Sequence, residues 1–205
     1  MGFTSAWAIS SHPDDTIAEL AARLLPAMRA DHEHPEAQRR MRRWQRAPLP
    51  DHRTWYEGDQ AAIESFHALT APGGHLDDVC AGAADPAFYV VDDVWEGQGQ
   101  DGMFISVHRK EYAVASLFHA IGPSRATLLP GWCGNFVLPS AQVRRRLPDV
   151  ERALTFTPSE RARAEAQDWL DYGKAEESVL EGPLRVWRTA AGMGEGLCGL
   201  AVHLC

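Results

Sequence analysis

The strongest constraint on folding lies near the start of the chain, where a strand-forming segment runs through a proline turn into an apolar repeat of helical period. Phe3 to Ser10 mixes aromatic, β-branched and small residues and reads as a short strand, and His12-Pro13-Asp14-Asp15 reads as the turn that ends it. Beyond that turn Ile17, Leu20, Ala21, Leu24, Leu25 and Met28 recur every three or four residues, the spacing of one helix face. Asp14 or Asp15 is placed to cap that helix, since a short carboxylate can accept from the unpaired amides of a first turn.

Further helices are expected where the same period returns. One follows Pro35 and stops before Pro48 and Pro50; another carries Ala62, Ile63, Phe66 and Leu69 and closes at Pro72-Gly73-Gly74. Lys110 to Ile121 reads as a helix ended by Gly122-Pro123. Helices are also predicted over Ala141 to Leu154, Ser159 to Tyr172 behind a Thr157-Pro158-Ser159-Glu160 start, and Val179 to Ala191. Pro148 and Pro183 are read as marking a bend or a first turn within this region. Phe88 to Val91 and Met103 to Val107 are rich in strand formers and predict a hairpin with a long loop through Gly97 to Gly102. Leu197 to Leu204 is short and apolar enough for a buried strand. The expected architecture is α+β, mainly helical with a small central sheet, and residues 1–205 form one globular domain without repeats or a linker.

Composition narrows the function classes. A net charge of -8 opposes general attraction to nucleic acid or to an anionic membrane surface. The start of the chain lacks the basic and apolar pattern of a secretory signal, and no apolar run approaches the roughly 18 residues that span a bilayer. Cys80, Cys133, Cys198 and Cys205 form no CxxC pair, so no cofactor or local metal knuckle is implied, and a reduced cytoplasmic setting is expected. The nine histidines are scattered, with only His32 and His34 close together.

Ser11-His12-Pro13-Asp14-Asp15, placed after an apolar strand, resembles the AHPDD-type start of the PIG-L/LmbE deacetylases. That resemblance implies a zinc site in which His12 and one of Asp14 and Asp15 are ligands and the other Asp is a base, so that a metal-activated water lies beside a carboxylate. It covers five residues; Thr16-Ile17-Ala18-Glu19-Leu20 departs from the family's Glu and Gly-Gly continuation, and no later His-x-x-His follows. The same residues read as a proline turn whose aspartate caps the next helix, and that structural reading carries the greater weight.

A second candidate is Gly131-Trp132-Cys133-Gly134-Asn135-Phe136. A cysteine between glycines can sit on a tight turn and be activated by a histidine such as His119 or His108. Its first half resembles the thioredoxin WCG sequence, but Phe136 stands where a resolving cysteine is needed, so redox chemistry is disfavoured. The competing reading, which is preferred, is a structural turn that packs Trp132, Cys133 and Phe136 into the core. Asp92, Asp93, Glu96 and Asp101 offer carboxylates to a divalent cation, or simply a solvated loop.

Between residues 39 and 46 five of eight residues are arginine, too many for a core-facing helix. Arg39, Arg42 and Arg43 with Trp44 suit an oxyanion and a stacking surface, against the plainer reading of a solvated helix. Trp55, Tyr56 and Trp95, in polar loops, extend this as candidate contact residues, whereas Trp169 and Trp187 fall on apolar helix faces. The chain therefore reads as an intracellular binding or interaction protein for an acidic ligand or partner protein, with no membrane role and no general nucleic-acid role. The alternative is a small cytosolic hydrolase or transferase using Cys133 or His12 with a histidine or carboxylate partner.

Overall fold

The computed structural model describes residues 2–83, 85–174 and 176–204. Its centre is strand β1 (Thr4–His12), whose residues alternate between two buried faces. Strand β2 (Met103–Arg109) pairs antiparallel along one side of it, from Thr4 opposite Arg109 to Ser10 opposite Met103. On the other side lies β4 (Gly196–Leu204), antiparallel from Thr4 opposite Leu204 to His12 opposite Gly196, and β3 (Phe136–Leu138) completes the order β2-β1-β4-β3. The two ends of the chain thus form the interior of one sheet.

Helices α1 (Asp14–Glu33), α2 (Pro35–Arg46), α3 (Gln60–Thr70), α4 (Gly74–Cys80), α5 (Ala113–Ala126), α6 (Ser140–Leu154), α7 (Pro158–Gln167) and α8 (Gly182–Met193) cover both faces. Trp7, Ile9, Phe104, Phe136 and Leu197 point to one face and pack with Leu117 of α5, Val143 and Val150 of α6, and Val186 and Trp187 of α8. Ala6, Ala8, Val137, Cys198, Leu200 and Val202 point to the other and meet Ile17, Leu20 and Leu24 of α1 and Leu76 of α4. Each fully buried side chain of the size of Leu24 or Leu200 contributes roughly 1.5–3 kcal/mol by leaving water. The protein is a mainly helical α+β fold around one four-stranded antiparallel sheet.

Several boundaries follow local chemistry. Thr157 and Glu160 form the reciprocal capping box anticipated before α7, and Pro183 occupies the first turn of α8. Helix α5 breaks at Gly122, whose φ of 72° is the left-handed conformation available to glycine, and resumes through Pro123 to Ala126. Pro148 lies inside α6.

The hairpin expected from Phe88 to Val107 does not form. Phe88 and Val90 are buried against the α1 side of the sheet, and Val91–Trp95 is a π-helical turn. The Asp93 carboxylate accepts from the Tyr89 amide at 2.6 Å and Asp93 N–H donates to Tyr89 carbonyl at 2.9 Å, so local capping outcompetes the strand propensity of this run. Its intended partner β2 pairs with β1 instead. The helix expected over Ser159 to Tyr172 stops at Gln167, because Asp168 turns its carboxylate to the Ser116 hydroxyl, the Leu170 amide and the Tyr172 hydroxyl, at 2.7, 3.2 and 2.7 Å.

Candidate ligand cleft around Trp132

The chain reverses between Trp132 and Asn135 through a two-residue turn. Trp132 N–H donates to Asn135 carbonyl at 3.0 Å and Asn135 N–H returns the bond at 2.9 Å, while Cys133 and Gly134 both have positive φ, 46° and 82°. This is the twist of a type I′ hairpin turn, which needs a residue such as glycine without a Cβ penalty. Two anchors hold it to the sheet. Trp7 Nε1 donates to Gly134 carbonyl at 3.1 Å, and the Asn135 side-chain oxygen accepts from Ala201 N–H at 2.7 Å, where β4 has run past the end of β3.

The turn sends Cys133 inward and leaves Trp132 half-buried at the surface, stacked on His32 with ring centroids 5.1 Å apart. Three concavities meet on Trp132. One of about 240 Å³ is polar and includes Asp31, His34, Arg40, His75 and Asn135; a second of about 260 Å³ is apolar and includes Leu25, Met28, Phe136, Val137 and Leu138. The third, about 180 Å³, runs between Met41, Trp44, Phe118 and Leu129.

Within the polar part, Asp31 is already spent. Its carboxylate accepts from the amides of His75 and Leu76 at 3.1 and 2.9 Å, supplying the cap that α4 lacks locally, and meets His75 Nδ1 at 2.8 Å. Arg40 Nε lies 3.5 Å from Glu36 Oε1, and among the described residues no hydrogen bond engages its two terminal nitrogens, which can serve another acceptor.

The residues singled out from sequence are distributed differently. Cys133 is buried and its thiol is pushed up by burial alone, so the thiolate that nucleophilic chemistry needs is disfavoured. Neither proposed activator is paired with it: His119 Nε2 lies 2.9 Å from Gln167 Oε1, and His108 Nε2 lies 2.9 Å from Ser106 Oγ. His12 is buried with Nε2 2.8 Å from Ser10 Oγ, and burial lowers its pKa against the pull of Glu195. Asp14 is engaged by Ser140 and Asp15 is exposed; among the described residues no group of three or more His, Cys, Asp or Glu is arranged to hold a metal ion.

The arginine and aromatic surface is also divided. Trp44 lies in the core against Phe66 and Phe118, and Trp95 is buried beside Val94, so neither is a surface contact. Arg39 pairs with Glu36, and Arg43 pairs with Asp59 at 3.1 Å. Arg42 and Tyr56 are exposed, and Trp55 is half-buried with its indole N–H donating to Pro50 carbonyl at 2.9 Å. Sequence reasoning missed Asp31, Arg40 and His75 as neighbours, because they sit on three helices, α1, α2 and α4, that meet only in the folded chain; the nearest signal was the closeness of His32 and His34. No protein-family model, curated protein or solved structure matches this chain. Among the described residues, no helix is long and apolar enough to cross a membrane.

Proposed function

We propose that this is a binding protein whose ligand is a small anionic amphipathic molecule seated in the cleft around Trp132. The observation that carries the reading is that the polar and apolar concavities both include Trp132, so one ligand can lay an apolar body along Leu25, Met28 and Val137 while its acidic group reaches the Arg40 nitrogens. The apolar part supplies burial and the guanidinium supplies orientation, the usual division of labour in small-molecule sites. Recognition of an acidic group by the arginine-rich helix is retained, with Arg40 in place of Arg39, Arg42 and Arg43. A reduced intracellular setting belongs to this reading and is supported by Cys80, Cys133 and Cys198 being free thiols.

The test is a thermal-shift survey of small carboxylates and phosphates on the purified protein, with Trp132→Ala and Arg40→Gln alongside. A stabilising ligand should lose its effect in Trp132→Ala and be weakened about tenfold or more in Arg40→Gln. Ligands that stabilise both variants as well as the parent would place binding elsewhere and overturn the proposal.

A further inference from the structure

A separate groove of about 340 Å³ opens between α5 and α7 and shares no lining residue with the Trp132 cleft. Its charges are unequally committed. Arg125 donates to the carbonyls of Arg152, Ala153 and Thr155 at 2.9, 3.0 and 2.9 Å and to Glu160 at 2.8 Å. Glu160 also accepts from the Thr157 amide and hydroxyl at 2.8 and 2.9 Å, which with Arg125 holds its carboxyl down at about 2. These two groups neutralise one another. Among the described residues Arg163 hydrogen-bonds the Ser159 carbonyl of its own helix, at 3.4 Å, and has no carboxylate at ion-pair distance.

His119, which also lines the groove, has a defined tautomer. Gln167 Oε1 accepts from the His52 amide at 3.3 Å, which identifies that atom as the oxygen, so His119 Nε2, 2.9 Å from it, carries the proton. Nδ1 is then the basic nitrogen. The ring lies among Trp55, Phe66 and Trp169, with centroids 5.0, 6.3 and 5.5 Å away, and burial favours its neutral form.

We propose that this groove binds a small oxyanion between Arg163 and His119, and that His119 takes up one proton from solvent as the anion enters. A neutral imidazole presents a lone pair at Nδ1 that would repel an oxyanion. Protonation converts it to a donor, while the anion supplies the charge that burial alone withholds. The charged and titratable surroundings of His119 are Asp51 and His52 from the short helix His52–Glu57 and its cap, Glu111, which accepts from Trp169 Nε1, and His67 of α3, which stacks on Trp169. Arg125, Glu160 and Arg163 complete them from the groove itself. Asp51 assists protonation and His52 opposes it.

Sulfate, whose charge is constant over the relevant pH range, is the probe. The His119 imidazole resonances are titrated in sulfate and in chloride of equal ionic strength, and sulfate affinity is measured against pH. The expected result is a higher His119 pKa in sulfate and an affinity that strengthens by about tenfold per pH unit on acidification between the free and bound values. Arg163→Gln, on an exposed helix position, should weaken sulfate about tenfold. His119→Gln should leave weaker binding that no longer depends on pH, and Arg23→Gln, on α1 where Arg23 pairs with Asp85 outside the groove lining, should change neither. An identical His119 titration in the two salts, or undiminished sulfate binding in Arg163→Gln, would overturn the proposal.

Discussion

The Asp14 carboxylate accepts from both the amide and the hydroxyl of Ser140, at 2.7 and 2.8 Å, so the acid that opens α1 caps the first turn of α6. Helix α1 has Pro13 at its cap position and no side-chain cap of its own. The two Ser140 bonds hold the Asp14 carboxyl below the usual aspartate range. A depressed carboxylate stabilises the fold above its unfolded value and loses that contribution as pH falls through the folded value. Asp14→Ala should therefore lower the melting temperature by a few degrees at neutral pH and progressively less toward strong acid. Calorimetric titration with zinc should show no stoichiometric site on His12, Asp14 and Asp15.

Gly134 tests the turn that presents Trp132. Its φ of 82° disfavours any L side chain, and a Cβ there would lie 2.6 Å from Trp7 Nε1 and 2.7 Å from Val114 Cγ2. Gly134→Ala combines left-handed strain with overpacking against a buried indole and should cost roughly 2–4 kcal/mol in denaturant unfolding.

The parts of the fold that could be read in advance are those whose signals are local. Ile17 to Met28, the Thr157 and Glu160 box and the terminal strand carry their period or cap within a few residues, and each forms where expected. Strand β3 is only three residues long and exists because β4 offers it an edge, a fact invisible from Phe136 to Leu138 alone. The site was less legible for the same reason. Trp44 sits in an arginine-rich stretch that looks solvated, yet helical period turns that one position inward onto Phe66 and Phe118. Asp31 and His75 carry no motif, and their meeting is a product of tertiary docking.

The thiols provide a check on the catalytic alternative. Burial pushes the Cys80 thiol up to about 12, with Asp77 adding to the effect, and raises Cys133 and Cys198 as well. Alkylation followed by peptide mass analysis should find all three unmodified in the native protein and modified at the rate of unfolding. Rapid labelling of Cys133 in native conditions would restore it as a nucleophile.

His12, His67 and His119 all have pKa values lowered chiefly by burial. The unfolded chain then binds protons that the folded chain refuses, so their stabilising contribution is full above the ordinary histidine value near 6.5 and is lost as pH falls below it. Urea midpoints should drop between pH 7.5 and pH 5.5. Among the described residues His67 Nε2 has no hydrogen-bond partner, so His67→Phe should keep the packing against Trp55 and Trp169 while making that drop shallower.

Trp132 forms the floor of the proposed ligand cleft. The most direct test of that role is to follow the Trp132 indole N–H resonance, assigned by its loss in Trp132→Phe, while benzoate is titrated into the native protein as a flat, apolar-bodied carboxylate probe. A saturable shift of the Trp132 signal is expected, with that of Trp169, whose indole N–H donates to Glu111 away from the cleft, unmoved, and a weaker response in Arg40→Gln. A Trp132 resonance that stays fixed through the titration, or one that shifts identically in Arg40→Gln, would contradict that role.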